Sequence, residues 1–221
     1  MLIVAVVSAV VVAVGVGLRG PAPGDGQLHS AAVAAQAMLA RLSVVAERVS
    51  RKDYQRSAFG VAWSDAAPVI DGGNGCDTRN DILTRDLVDR AEAAMSSCAH
   101  AVTAGEFRSP YTGEFISFRR DRRATAVQID HIVPLAYAWD MGGWSWSPAT
   151  RLQLANDPAN LVAVDAKSNQ DKSDQEPAVW MPPNRGFHCR YAVQFVTVSA
   201  TYRLAVDAHS REVLSKTLRR C

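Results

Sequence analysis

The chain has 221 residues, of which 48% are hydrophobic and 21% are charged. This length predicts one globular domain with an additional tail and argues against two full domains. The formal net charge of +2 and the pI near 8.4 fall well short of the strongly basic balance expected of a protein that binds nucleic acid along a long surface. Charge alone therefore neither proves nor excludes a nucleic-acid substrate.

The N-terminal segment from Leu2 to Leu18 contains 17 uncharged residues, which is near the lower limit for a membrane span. We predict that it directs export, as a signal peptide or as an uncleaved anchor. No Lys or Arg precedes the segment and no clear small-residue cleavage site follows it, so both forms stay open. The predicted organisation is an export segment at 1–19, a linker with an Ala-rich helix at 20–53, and the main domain at 54–221. The protein is then secreted, or anchored with its domain outside the cytoplasm.

The four cysteines, Cys76, Cys98, Cys189 and Cys221, include no C-x-x-C pair and lack the spacing of a zinc site. An even count after an export segment favours disulfides. Four cysteines allow three connectivities. Local pairing, Cys76 with Cys98 and Cys189 with Cys221, is predicted because it links each helical unit without crossing the core, and the other two connectivities stay open.

The apolar patterns predict helices and strands in a mixed order. Helices are predicted at residues 30–49, at residues 82–91 with an N-cap near Asn80 or Asp81, and twice within 191–218 with a break near 206–207. Strands are predicted at 114–118, 126–133 and 160–164, and Asp165 is expected to cap a short helix that runs through Lys172. Between the last two strands, Trp139, Trp144 and Trp146 are predicted to pack in the core.

Three short motifs fall on this strand, strand, helix series. They are Asp130-His131 near the end of the first strand, Asn160-Leu161 at the start of the second, and Asn169-Gln170-Asp171-Lys172-Ser173-Asp174 on the helix. Each motif alone is weak, since a lone histidine is more often structural. Together and in this order, they match the site of a ββα-metal nuclease.

The motifs resemble the HNH endonuclease family in its Asp-His, Asn, Asn variant, and the third motif is similar to the HNH domain of CRISPR effector nucleases. The wider chain, from Tyr54 to Cys221, resembles small exported bacterial HNH-family proteins. This resemblance implies an α+β fold: a ββα-metal core with surrounding helices and disulfides, after an N-terminal hydrophobic helix. It also implies hydrolysis of phosphodiester bonds in nucleic acid. The 28 residues between His131 and Asn160 are more than a minimal ββα unit needs.

Phosphodiester hydrolysis needs a base for water, a cation for the developing charge, and fixed geometry. His131 is the predicted general base, because a neutral imidazole is available near pH 7. Asp130 and Asn169 offer the oxygen ligands that suit Mg²⁺ or Mn²⁺. Asn160 is expected to orient the His131 loop. Lys172 is expected either to stabilise substrate charge or to be an exposed helix residue.

The predicted function is a metal-dependent endonuclease, with DNA as the favoured substrate and RNA as the second, and with membrane contact only through the N-terminal segment. The alternative is a non-catalytic exported module of the cell envelope, or a nucleic-acid-binding module, on the same scaffold. The complete set of Asp130, His131, Asn160 and Asn169 argues against that alternative, because a binding module does not need all four.

Overall fold

The computed structural model describes residues 25–122 and 124–221. The α-helices of this part are α1 (Asp25–Leu39), α2 (Thr78–Asp86), α3 (Leu135–Asp140), α4 (Pro148–Asn156), α5 (Ala166–Lys172), α6 (His188–Thr201) and α7 (Ala208–Leu218). Its strands are β1 (Val44–Val45), β2 (Val88–Met95), β3 (Cys98–Arg108), β4 (Phe115–Arg119), β5 (Val127–His131), β6 (Leu161–Asp165) and β7 (Val206–Asp207). The fold is therefore mixed α+β, as predicted.

The predicted export segment at residues 2–18 lies outside the described residues. Among the helices of residues 25–122 and 124–221, none is both long and apolar enough to cross a membrane.

The predicted series of strand, strand and helix is present. Strands β5 and β6 pair antiparallel, with Asp130 opposite Val162 and His131 opposite Leu161. Helix α5 follows β6 directly, and its N-cap is Asp165, whose side chain accepts a hydrogen bond from the backbone N of Ser168 at 2.8 Å. A carboxylate at this position satisfies one of the free N–H groups of the first turn.

The pair β5–β6 is a wall shared by two hydrophobic cores. Val164 lies in the larger core, which the helices build. Ile129 and Ala163 lie in the smaller core, beneath α2 and β3. Because successive side chains of a strand point to opposite faces, Asp130 projects towards the larger core and His131 towards the smaller one.

The smaller core is closed by a three-stranded antiparallel sheet in the order β2-β3-β4. The predicted helix at 82–91 is wrong in its second half, because α2 ends at Asp86 and residues 88–95 form β2. Ala and Glu favour helix in isolation, but hydrogen bonding to β3 decides the conformation here. The N-cap is Asp77 and not Asn80 or Asp81, since the Asp77 side chain accepts from the backbone N of Asn80 at 2.7 Å.

The predicted helix at 30–49 is also too long. Helix α1 ends at Leu39, and Val44 and Val45 pair in parallel with β7. The two C-terminal helices and the break between them are as predicted, because β7 occupies the break. Trp139 is buried as predicted, whereas Trp144 is 49% exposed and its predicted core position is wrong.

Two disulfides are present, Cys76 with Cys98 and Cys189 with Cys221. They confirm the local pairing predicted from the sequence. The first disulfide joins the residue before the N-cap of α2 to the start of β3. The second joins the start of α6 to the residues after α7, so that all four cysteines are paired.

Candidate active site

His131 is the last residue of β5 and is 7% exposed. Its Nε2 atom lies 2.9 Å from the carbonyl oxygen of Ala155 at the end of α4. A carbonyl oxygen only accepts hydrogen bonds, so Nε2 carries the hydrogen and, in the neutral ring, Nδ1 carries the lone pair. Burial lowers the pKa of His131 to about 4, with smaller contributions from the charges of Arg56 and Lys172. The imidazole is therefore neutral at pH 7, with Nδ1 as its basic atom.

Asn160 holds the chain directly after His131. It is fully buried, its Oδ1 accepts from the backbone N of Val133 at 2.8 Å, and its Nδ2 donates to the carbonyl of Val133 at 3.2 Å. Its own carbonyl accepts from the backbone N of Ile132 at 2.8 Å. These three bonds fix the turn that follows the imidazole, and Asn160 forms no hydrogen bond with the His131 ring among the hydrogen bonds of the described residues.

A pocket of about 250 Å³ opens beside His131. Its other wall is residues 56–63, which we call the wall segment and which begin with a 3₁₀ turn at Arg56–Phe59. The Trp63 ring stacks nearly parallel to the His131 ring, with 5.9 Å between centroids and 9° between planes. Arg56 borders the pocket, is exposed, and forms no ion pair within the part of the chain that the structure describes. The pocket therefore places an available cation and an aromatic ring beside the neutral imidazole.

Three residues outside the wall segment hold it in place: Arg151, Leu152 and Thr78. The Arg151 guanidinium donates to the carbonyl of Ala58 at 2.9 Å. Gly60 has φ of +86°, and a Cβ there would lie 2.7 Å from the Leu152 side chain. Trp63 has φ of +57°, a conformation that bulky residues rarely adopt. Such a backbone persists only where the surrounding contacts impose it.

The third fastening comes from Thr78 in the first turn of α2. Its backbone N donates to the carbonyl of Trp63 at 3.3 Å, and its hydroxyl contacts the Ser64 carbonyl at 3.3 Å and Oδ1 of Asn156 at 3.0 Å. Asn156 follows Ala155, the hydrogen-bond partner of His131. Thr78 therefore fixes Trp63 and the end of α4, which both contact the His131 imidazole, relative to each other.

Asp130 lies on the opposite face of β5 in a buried polar network. The Lys172 ammonium lies 2.9 Å from its Oδ2 and 3.1 Å from its Oδ1, and the Tyr111 hydroxyl donates to Oδ2 at 2.5 Å. Burial, with the nearby charge of Asp130, raises the pKa of Tyr111 well above its usual value. Lys172 is fully buried and also donates to the carbonyl of His131 at 2.8 Å. Lys172 is therefore neither an exposed helix residue nor directed to solvent.

Asn169 lies on α5 next to the same face of β5, where its Nδ2 donates to Oε1 of Gln128 at 2.6 Å. Its Oδ1 has no hydrogen-bond partner among the described residues and is an available oxygen donor. The structure brings Asp130, Asn169 and Lys172 to one face of β5 and places His131 on the other.

The oxygen donors of this face differ in how well they suit a divalent cation. Asn169 Oδ1 fits one. Asp130 does not in this arrangement, because both its oxygens already accept from buried donors and one of those donors is an ammonium group. A second cation beside Lys172 would add charge repulsion in a buried site. Within the described residues, no group of three or more His, Cys, Asp or Glu side chains could hold a metal ion.

Residues 77–217 match the family model of the C-terminal domain of GmrSD restriction endonucleases. The chain belongs to this family. It is an HNH-type nuclease family, so the resemblance seen in the sequence is confirmed. The matched residues include β5, β6 and α5 with Asp130, His131, Asn160 and Asn169. The wall segment lies outside them.

The chain is also similar to an uncharacterized secreted protein of Arthroderma benhamiae, with 36% identity over 148 residues, which covers 66% of this chain and 68% of that protein. No solved structure matches the chain.

Sequence reasoning missed four residues that shape the site. Arg56 and Trp63 border the pocket, Ala155 accepts from His131, and Tyr111 donates to Asp130. The aromatic residues of 54–65 and the Pro110–Gly113 turn were visible in the sequence, but no local pattern indicates which strand they contact.

Proposed function

We propose that this protein hydrolyses phosphodiester bonds in nucleic acid, with DNA as the favoured substrate and RNA as the second, and with His131 as the general base. The observation that carries the proposal is the hydrogen bond from His131 Nε2 to the carbonyl of Ala155 beside an open pocket. This bond leaves Nδ1 as a base in the neutral form at pH 7. Membership of an HNH-type nuclease family supports the same reaction.

In the proposed reaction, water attacks phosphorus and gives its proton to Nδ1 of His131. A new P–O bond forms to the water oxygen, and the P–O bond to one nucleoside oxygen breaks. The leaving oxygen takes a proton from solvent, and His131 later returns its proton to solvent. The bond to Ala155 keeps the ring in one orientation throughout, which is the type of positioning on which such rates depend.

The two cations near His131 have different parts in this scheme. Arg56 borders the pocket and has no ion pair with any described residue, so its guanidinium is available for a phosphate oxygen. Lys172 is fully buried between Asp130 and the carbonyl of His131. We therefore propose Arg56 as the residue that stabilises substrate charge and Lys172 as a residue that positions the end of β5.

We further propose, from the sequence motif alone, that activity requires Mg²⁺ or Mn²⁺. Such an ion would neutralise charge on the phosphate. Asp130, the predicted metal ligand, already accepts hydrogen bonds from Lys172 and Tyr111. The steps above therefore assign no part to a metal ion. We also propose that the protein is secreted, since its Arthroderma benhamiae relative carries the name of a secreted protein and two disulfides suit an oxidising compartment.

The test is cleavage of supercoiled plasmid and of RNA by the purified chain, with Mg²⁺, with Mn²⁺ and with EDTA. His131→Ala should lose about 100-fold or more in rate while it keeps its fold, as expected for removal of a general base. His209→Ala is the matched control, because His209 is exposed on α7. Cleavage by His131→Ala at the rate of His209→Ala would refute the proposal, and binding without cleavage by the unmodified chain would favour a binding module.

A further inference from the structure

The pocket beside His131 has two kinds of lining that suit different parts of a nucleotide. Phe59, Gly60, Val61 and Trp63 supply an apolar and aromatic surface, and Arg56 supplies one cation. Val61 is 78% exposed although it is aliphatic. An exposed apolar surface beside an aromatic ring suits the face of a base, whereas a guanidinium suits a phosphate.

We propose that the wall segment is a subsite for one nucleotide of a single-stranded nucleic acid, with the base against Val61 and Trp63 and the phosphate at Arg56. The proposal rests on the proposed nuclease function and names the substrate form that the site accepts. Residues 56–63 lie outside the part matched to the family, so the proposal is argued from the pocket of this chain and not from the family match.

Access to His131 favours a single strand over a duplex. The imidazole is 7% exposed and borders a pocket of about 250 Å³. The wall segment bounds this pocket on one side, and the space admits a group of nucleotide size. In a duplex, the bases are paired and stacked, and a base reaches an apolar surface only when it is turned out of the stack, which costs free energy. Flexible single strands present their bases to aromatic side chains without that cost.

The distribution of basic side chains also favours a single strand over a duplex. Proteins that hold duplex DNA neutralise several phosphates with Lys and Arg. Three arginines lie at the end of β4 and just after it. Arg119 and Arg122 pair with Asp121 at the surface, and Arg120 donates to the Val102 carbonyl and to Asn80. Arg79 donates to the carbonyls of Ala124 and Val127. Arg79 and Arg120 are thus engaged within the fold, and Arg119 and Arg122 are exposed but do not line the pocket. Arg56 borders the pocket and has no ion-pair partner in residues 25–122 and 124–221.

The experiment measures binding separately from cleavage. A labelled DNA strand of about 12 nucleotides, within the site sizes of single-strand modules, carries phosphorothioate linkages that resist hydrolysis. Its Kd for the full chain is measured by fluorescence anisotropy, alone and annealed to its complement, over a series of salt concentrations. We expect the single strand to bind at least about tenfold more tightly than the duplex, which corresponds to about 1.4 kcal/mol, because a paired base must first be turned out of the duplex.

Three variants assign the subsite. Trp63→Ala should weaken single-strand binding by about 5-fold to 150-fold, the range for removal of one stacked base, and Trp63→Phe should restore most of it. Arg56→Gln should lower the slope of log K against log salt by about 0.7, as expected when the protein neutralises one phosphate fewer on a single strand. Trp144→Ala is the matched control, because Trp144 is 49% exposed, packs on Arg51 and does not border the pocket.

Equal affinity for strand and duplex, or a Trp63→Ala variant that is folded and binds like Trp144→Ala, would overturn the subsite. Near-ultraviolet circular dichroism establishes whether each variant is folded, and Trp63→Phe gives an answer if Trp63→Ala does not fold. If the subsite is correct but the proposed nuclease function is wrong, the unmodified chain would bind the strand through Trp63 but cut no substrate. Cleavage that depends on His131 but not on Trp63 would leave the nuclease function and refute the subsite.

Discussion

The ammonium group of Lys172 lies 2.9 Å from the carboxylate of Asp130, and the two side chains are 0% and 6% exposed. Ion pairs as deeply buried as this one are costly to break, because loss of one partner leaves the other charge without water or a counter-ion. The same ammonium donates to the carbonyl of His131. The Lys172–Asp130 pair therefore links the predicted metal ligand to the strand end that carries the predicted base.

Lys172→Met should destabilise the fold by about 3–5 kcal/mol, since it leaves Asp130 buried without its counter-ion. If Asp130 and Asn169 can bind a divalent ion, Mg²⁺ should recover part of this stability, because the carboxylate then has no ammonium to displace. The measurement is the thermal midpoint with and without Mg²⁺. Lys167→Met is the control on the same helix, because Lys167 is 83% exposed and its pair with Asp171 is worth little.

A rise in the midpoint with Mg²⁺ in Lys172→Met but not in Lys167→Met would support an oxygen site at Asp130. If neither midpoint responds, Asp130 is a structural residue and the metal ion expected from the sequence binds elsewhere or not at all.

Asn169→Ala should raise the Mg²⁺ concentration needed for half-maximal cleavage by about tenfold, which is the loss of about 1.4 kcal/mol of binding. The reason is that Oδ1 of Asn169 is an amide oxygen with no hydrogen-bond partner among the described residues. Gln128→Ala is the control, since it removes the partner of Nδ2 and leaves the oxygen. An unchanged Mg²⁺ requirement in Asn169→Ala, or the same change in Gln128→Ala, would contradict a ligand role.

The low pKa of His131 predicts a pH dependence of both activity and stability. Burial lowers this pKa from 6.5 to about 4, so the base form persists to lower pH and the acid limb of kcat/KM should lie near pH 4. Between pH 6.5 and pH 4 the unfolded chain binds a proton that the folded chain does not. Stability from this group is therefore complete above pH 6.5 and decreases as the pH falls through 4, by roughly 3 kcal/mol.

His131→Gln is the comparison for that measurement, because Gln can donate to the Ala155 carbonyl but does not titrate. Urea unfolding of both proteins at pH 7 and pH 4 gives the difference. Equal loss of stability in the two proteins would show that other groups cause the pH dependence.

The strands and helix around the motifs could be predicted because their sequence pattern is local. Residues 161–164 form a short apolar run, and Asp165 has the side chain and position of an N-cap. By contrast, β2 has the sequence VDRAEAAM, in which Ala and Glu favour helix, and only pairing with β3 makes it a strand. That pairing is a contact between two strands, which the propensities of single residues do not contain.

The candidate site divides in the same way. His131 and Asn160 were identifiable as a motif, and the structure adds that Asn160 bonds to Val133 while Ala155 holds the imidazole. The strand alternation that turns Asp130 away from His131 was also available from the sequence, since neighbours on a strand face opposite sides. Trp63 could not be found, because it is 68 positions before His131 and reaches it only through the packing of α2 and α4.

The two disulfides allow a last prediction about the wall segment. Their sequence separations are 22 and 32 residues, so loop entropy gives each a similar stabilisation of about 3–4 kcal/mol. Their positions differ. Cys76 is two residues before Thr78, which holds the carbonyls of Trp63 and Ser64. Cys189 and Cys221 join α6 to the end of the chain after α7, and neither helix contributes a residue to the pocket lining.

Replacing both cysteines of either bridge by Ser should therefore lower stability by similar amounts but affect the site differently. Without Cys76–Cys98, the start of α2 is less fixed, and we expect single-strand affinity and cleavage to decrease together by about tenfold, the equivalent of 1.4 kcal/mol. Without Cys189–Cys221, both should stay near those of the unmodified chain at temperatures well below the thermal midpoint. Each double variant is assayed at the same number of degrees below its own thermal midpoint, which separates stability from function. Equal functional loss in both variants would show that the first disulfide does not act on the wall segment through Thr78.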